Sequence, residues 1–257
     1  GKSGLTGIES LNLSGMRSKK AGLVPEFRGA DIDRRIDFAP MNKISRMATA
    51  AAHLALGHAG CRVSPRNAAD VGIAMGVCNG PPETAHMDSV FASDNFMPDI
   101  NSFSNIVANS TAGWVANALC LKGVNTTLSP GPHAGLQCLA YAFDALSEQR
   151  AKCIIAGAAD EVYAQTYFNY DLMKLLYESA DEDNYRCIPS EMKRKVLGEG
   201  AAAVTVETLE SAQERNAEVL AEVLGYAMPA DGTTFDGQSL DTNGVFFACE
   251  QALVRAG

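Results

Sequence analysis

The run LSPGPHAGLQCLAYAFDAL, Leu128 to Leu146, has the layout of an active-site elbow, with a strand-like segment turning sharply into an apolar helix. Bends of this kind often hold up a nucleophile. A cysteine at such a helix start would have its thiol pKa lowered by the helix dipole and free N–H groups. Its own amide would also help to hold the oxyanion of a tetrahedral intermediate. This bend offers Pro130, Gly131 and Pro132 instead. Proline has no thiol, has no N–H to donate, and fixes φ near about −65°. Losing one oxyanion donor costs ~10²–10³ in turnover, and losing the nucleophile costs far more. Pro132 is therefore read as a structural residue at the first helical position, where proline is favoured. His133 directly follows the bend and is the candidate functional group beside it. Ser129 lies on the strand side and Cys138 two turns into the helix, so neither occupies the elbow.

Other chemistry-bearing patterns are weak. VLGEGAAAVTVE, Val196 to Glu207, places glycines at a strand start but lacks the G-x-G-x-x-G order of a dinucleotide site. The opening GKSG is not a phosphate-binding loop, because no upstream glycine and strand precede it. Seven cysteines are scattered singly, with no C-x-x-C pair and no zinc-type spacing. No cofactor and no metal are therefore expected, and the cysteines point to a reducing compartment, the cytoplasm, without structural disulfides. Lys193, Arg194 and Lys195 form a small basic cluster that could meet an acidic carrier protein.

These residues sit in an ordinary globular composition. Hydrophobic residues make up 47% and charged residues 20%, which excludes a disordered chain. A formal net charge of −9 argues against non-specific nucleic-acid binding. No apolar run approaches the roughly 20 residues of a membrane helix, so no membrane partner is expected.

The elements that must position the elbow follow from periodicity. Residues 44–60 carry Ala and apolar positions at helical spacing and end on Gly60, and residues 68–78 read as a small-residue buried strand. A helix is expected over 103–121, a strand over 124–129 and the elbow helix over 133–148. A short apolar strand at 151–163 ends in Asp160 and Glu161; a strand at 200–208, a helix at 209–216 and a strand at 221–230 follow. Strands alternating with helices imply an α/β fold with a mostly parallel sheet. Residues 47–60 and 244–257 also match at Ala51/Ala248, Ala55/Ala252, Leu56/Leu253, Ala59/Ala256 and Gly60/Gly257, a weak internal repeat. If the repeat is real, the chain ends as a second copy begins, and the abrupt start at Gly1 likewise suggests a fragment.

Taken together, DVGIAMGVCNG, IVANSTAGWVANALCLKG, GLQCLAYAFDAL and VLGEGAAAVTVE resemble segments of the β-ketoacyl synthase family, the FabF-like condensing enzymes of thiolase fold. The resemblance runs nearly the whole chain. It implies a layered α/β/α/β/α fold, of which residues 1–243 would be the N-terminal half without its first strand. Residues 244–257 would begin the second half. It also implies acyltransfer in fatty acid, polyketide or polyene synthesis, with an acyl carrier protein as partner.

Two departures from the family pattern change what the resemblance means. The family's Thr-Ala-Cys-x-x-Gly, carried across without gaps, falls on Pro130, Gly131, Pro132, His133, Ala134 and Gly135. Pro132 thus stands where the catalytic cysteine belongs, and no catalytic residue is intact. The family's Arg-Pro-Phe-Asp-x-x-Arg-Asp-Gly-Phe survives here only as Arg186, while Gly198, Glu199 and Gly200 keep the following Gly-Glu-Gly. The family's catalytic histidines and lysine belong to a C-terminal half that this sequence does not contain.

The implied role is a non-condensing subunit, similar to chain-length factors, paired with a Cys-bearing ketosynthase as a heterodimer, or forming a homodimer. Asn79, Ala85, His86 and Phe103 would line its acyl pocket. The competing readings are a decarboxylase of malonyl-carrier substrates or a condensing acyltransferase active in its own right, and a degenerate binding homologue.

Overall fold

The computed structural model describes residues 4–8, 15–16, 18–80, 104–176, 196–230 and 242–257. Two short strands, β1 (Leu5–Gly7) and β2 (Lys20–Gly22), pair antiparallel with Thr6 opposite Ala21. Helix α1 (Lys43–His58) follows, then β3 (Val71–Gly76), α2 (Ser110–Ala118), β4 (Asn125–Leu128), α3 (Ala134–Ser147) and β5 (Cys153–Asp160). Helix α4 (Ala164–Leu172), β6 (Gly200–Glu207), α5 (Leu209–Glu214) and α6 (Thr242–Ala256) complete the described elements.

The main sheet has the order β4-β3-β5-β6. β3 is parallel to both β4 and β5, and β6 closes the sheet antiparallel to β5, so the sheet is mixed. All six residues of β3 are buried, as a central strand covered on both faces requires. Its alternate side chains part to opposite faces. Ile73 and Met75 join Ile155 against Ile44, Ala48, Ala52 and Leu56 of α1 and Ala112 and Val115 of α2. On the other face Ala74, Ile154 and Ala156 meet Cys138, Ala142, Ala145 and Leu146 of α3. The described residues thus build an α/β/α sandwich around one sheet.

Local sequence explains the boundaries. The Asn42 side chain caps α1 by accepting from the Ser45 N–H at 3.0 Å. α1 ends at His58 and the chain turns at Gly60, which has φ +64°. The sequence pattern starts the second helix at 103, whereas α2 begins at Ser110. Asn105 explains the delay, since its side chain donates to the Pro40 carbonyl at 3.1 Å and accepts from Trp114 Nε1 at 2.8 Å. That holds the preceding segment as a loop.

The strand expected at 221–230 does not form. A strand needs a neighbouring edge to satisfy its backbone groups, and residues 217–230 pair with none of the described strands. They are pinned instead at Tyr226, whose hydroxyl donates to Asp144 of α3 at 2.5 Å and whose ring packs edge-on against Phe143. Arg255 of α6 in turn donates to the Tyr226 carbonyl at 3.0 Å. The repeat partner of α1 is indeed a helix, α6, but its apolar side chains face outward, with Phe246 72% exposed.

Glycine sets the spacing between β5 and β6. A Cβ at Gly157 would stand 2.4 Å from the Ala202 carbonyl oxygen. Gly157→Ala is expected to lower stability by ~1–3 kcal/mol, the usual cost of overpacking. Urea unfolding monitored by circular dichroism measures it.

Candidate functional site

The parallel strands β3, β4 and β5 end at one edge of the sheet, and the chain after each converges there. β4 leads through Ser129 and Pro130 to Gly131, which has φ +100°, a backbone open to glycine and strained for other residues. The Ala134 N–H then returns to the Gly131 carbonyl at 3.1 Å, closing a turn with Pro132 and His133 at its centre. His133 has φ −99° and ψ 17°, close to the third residue of a type I turn, and proline is favoured at the position before it. This corrects the expected role of Pro132. It lies inside the turn, with His133 as the helix cap and Ala134 as the first helical residue.

The elbow is clamped by small residues. A Cβ on Gly76, at the end of β3, would lie 2.7 Å from the Ala134 carbonyl carbon and 2.8 Å from its Cβ. A Cβ on Gly135 would sit 3.3 Å from Ala158 of β5. The start of α3 is therefore seated directly on the strand ends, as an elbow presenting a reactive group requires. What it presents is unreactive as a thiol site: Pro132 and His133 are exposed, Ser129 is exposed on the strand side, and Cys138 is buried on the sheet face. Burial pushes the Cys138 thiol up to about 12, so it is not a nucleophile. The His133 side chain makes no capping hydrogen bond.

Asn79 reaches the same edge after β3, and its surroundings contain residues to which the sequence pattern assigned no role. Asp160, at the end of β5, accepts from the Asn79 N–H at 3.0 Å and from the Cys78 N–H at 3.0 Å. The Tyr163 hydroxyl donates to the Asn79 carbonyl at 3.0 Å. Burial raises the Asp160 pKa, against the pull of the two backbone N–H groups. Burial foremost, then Cys78 and Asp160, raises the Tyr170 pKa. The two carboxylates closing an apolar strand were the available signal for this cluster. Its partners lie 81 and 82 residues away in sequence, so no local pattern could connect them.

Glu199, from the Gly-Glu-Gly run, has a structural place. Its side chain is 1% exposed and forms an ion pair with Lys43 at the start of α1. It also accepts from the Val24 N–H at 2.8 Å and the Val162 N–H at 3.2 Å. One carboxylate thus joins four separate segments. Ala85, His86, Phe103, Arg186 and the basic cluster Lys193 to Lys195 lie outside the described residues.

The comparisons with known proteins agree on one family. The profile described as "Beta-ketoacyl synthase, N-terminal domain" matches residues 17–212. The 3-oxoacyl-[acyl-carrier-protein] synthase 2 of Vibrio cholerae is 28% identical across 100% of this chain and 63% of its own length. A β-ketoacyl synthase structure from Burkholderia phymatum superposes with a TM-score of 0.86 at 24% identity, over 98% of this chain and 63% of that one. A structure titled "The ishigamide ketosynthase/chain length factor" superposes with a TM-score of 0.84 at 23% identity, over 100% of this chain and 63% of that one. The chain belongs to the β-ketoacyl synthase family, and its fold is thiolase-like. It spans less than two thirds of the length of these relatives.

The Asp160 clamp gives a direct test. Asp160→Ala leaves the Cys78 and Asn79 amides without their acceptor and is expected to cost ~1–3 kcal/mol, while Asp160→Asn, which keeps a carbonyl oxygen, costs less. A raised carboxyl pKa stabilises the fold fully below the unfolded value and loses that contribution as pH rises through the folded one. Urea curves should therefore show wild-type stability falling relative to Asp160→Asn as pH climbs from 3.8.

Proposed function

We propose that this chain belongs to a non-condensing, chain-length-factor-like member of a ketosynthase pair in fatty acid or polyketide biosynthesis. Its partner is a Cys-bearing ketosynthase that takes the acyl group from an acyl carrier protein and condenses it with a decarboxylating malonyl unit. The chain supplies walls of the acyl tunnel, with Asn79 as a lining residue among the described positions. Residues 244–257 begin the second half of the thiolase-like fold, and the protein works in the cytoplasm. No helix among the described residues is long and apolar enough to cross a membrane.

The observation that carries this reading is the contrast at the elbow. Helix α3 is seated closely on Gly76 and Ala158 at the strand ends. Yet the residue that the family resemblance, carried across without gaps, puts at the nucleophile position is Pro132, which has neither a thiol nor an amide proton. The likeness to a ketosynthase and chain-length-factor structure is consistent with a member that shares the scaffold and leaves the chemistry to a partner.

The test is co-expression of the full-length protein with a Cys-bearing ketosynthase from the same genome. Size-exclusion chromatography at micromolar concentration should give one heterodimer peak, and condensation should require the partner's cysteine. Separate elution of the two proteins would contradict the proposal. So would release of CO₂ from malonyl carrier by the full-length protein alone, which would make it a decarboxylase.

A further inference from the structure

A second cluster of reactive groups lies at the opposite end of the sheet from the elbow. Cys153, the first residue of β5, faces Cys61, on the connection between α1 and β3, with their sulfur atoms 4.0 Å apart. Cys153 is buried in the core, while Cys61 is partly open to solvent. Arg215, which follows α5, hydrogen-bonds the Ala59 carbonyl two residues before Cys61. Both oxygens of Glu207 at the end of β6 hold the same guanidinium, and Glu207 is further fixed by the Ser211 hydroxyl at 2.9 Å. A cation is thus anchored beside a thiol that solvent can reach, and a second thiol waits behind it.

We propose that Cys61 and Cys153 form a reversible thiol oxidation site, in which a hydroperoxide oxidises Cys61 and Cys153 closes the disulfide. Cys61 thiolate attacks the terminal peroxide oxygen, the O–O bond breaks, and the leaving hydroxide or alkoxide takes up a proton. Cys61 is then a sulfenic acid. The Cys153 sulfur attacks the Cys61 sulfur, the S–S bond forms, the S–O bond breaks, and the hydroxyl leaves as water with the Cys153 proton. The two sulfurs together lose two electrons, which reduce the peroxide. A dithiol reductant reverses the step by exchange.

The asymmetry of the pair assigns the roles. The hydrogen bond with Cys153 foremost, and the charge of Arg215 after it, bring the Cys61 pKa down to about 7 against burial and Glu207. The same hydrogen bond and burial push the Cys153 thiol up, so Cys153 stays protonated until Cys61 is oxidised. The sulfurs must close from 4.0 Å to a bond of about 2.0 Å. Cys61 follows Gly60, at φ +64°, in a connection outside the sheet, where a rotamer change and small backbone shift supply that movement. A transient disulfide of this kind is compatible with a reducing compartment, where lasting ones are rare.

The experiment treats the reduced full-length protein with hydrogen peroxide, blocks remaining thiols with iodoacetamide, and maps peptides without reduction. The expected result is a Cys61–Cys153 linked peptide that disappears after dithiothreitol. In Cys153→Ser, Cys61 should instead be trapped by dimedone as the sulfenic acid. Arg215→Gln, checked for folding by circular dichroism, should alkylate several-fold more slowly at Cys61 near neutral pH. Recovery of Cys61 and Cys153 both carrying the iodoacetamide label, at peroxide doses that oxidise the exposed Cys120 and Cys249, would overturn the proposal. So would an unchanged Cys61 alkylation rate in a folded Arg215→Gln.

Discussion

The first residue of α3 occupies the space that a side chain on Gly76 would need. That one close approach fixes where the strand-to-helix elbow sits, because Ala134 cannot retreat from the end of β3 without losing the helix's seat on the sheet. The rest of the α3 face follows the same rule. Gly135, Cys138, Ala142 and Ala145 are all small, and they pack on Ala74, Ala156 and Ala158. Larger side chains would hold helix and sheet further apart and move the elbow away from the strand ends. The sheet order, with β3 between β4 and β5, then gathers the elbow, Asn79 and Asp160 at one edge.

Polar groups make this arrangement unique in the same way that small residues make it close. Glu199 is nearly sealed from solvent, but Lys43 and two backbone N–H groups satisfy its carboxylate. Burying a carboxylate without such partners would cost several kcal/mol. Its contacts lock the segment after β2, the start of α1, the turn after β5 and the entry to β6 into one geometry. Asp160 does the equivalent for the backbone after β3. Both carboxylates belong to the frame of the site, which leaves the elbow as the place where reactivity would have to be displayed.

Much of this was legible in the sequence because it depends on local pattern. The buried strands β3 and β5, the helices α1 and α3, and the Pro-Gly-Pro bend all declare themselves through periodicity and turn chemistry. The bend shows where local reading stops. Proline fits both a first helical position and the second position of a turn, and only the hydrogen bond from Ala134 to Gly131 decides for the turn. The run 221–230 has the composition of a strand but meets no strand edge among the described residues, and tertiary contacts at Tyr226 hold its path. The Asp160 clamp and the Cys61–Cys153 pair join residues 82 and 92 positions apart, which no spacing rule captures.

The Pro-Gly-Pro turn seats α3 on the strand ends with Pro132 and His133 exposed, and the proposed role gives this elbow no covalent chemistry of its own. The most direct measurement is the intact mass of the full-length protein after incubation with an acyl carrier protein bearing a medium-chain thioester, with a Cys-bearing ketosynthase as positive control. The expected result is an acyl adduct on the control and none on this protein. An acyl group recovered on this protein within residues 129–138, whether on Ser129, His133 or Cys138, would contradict it.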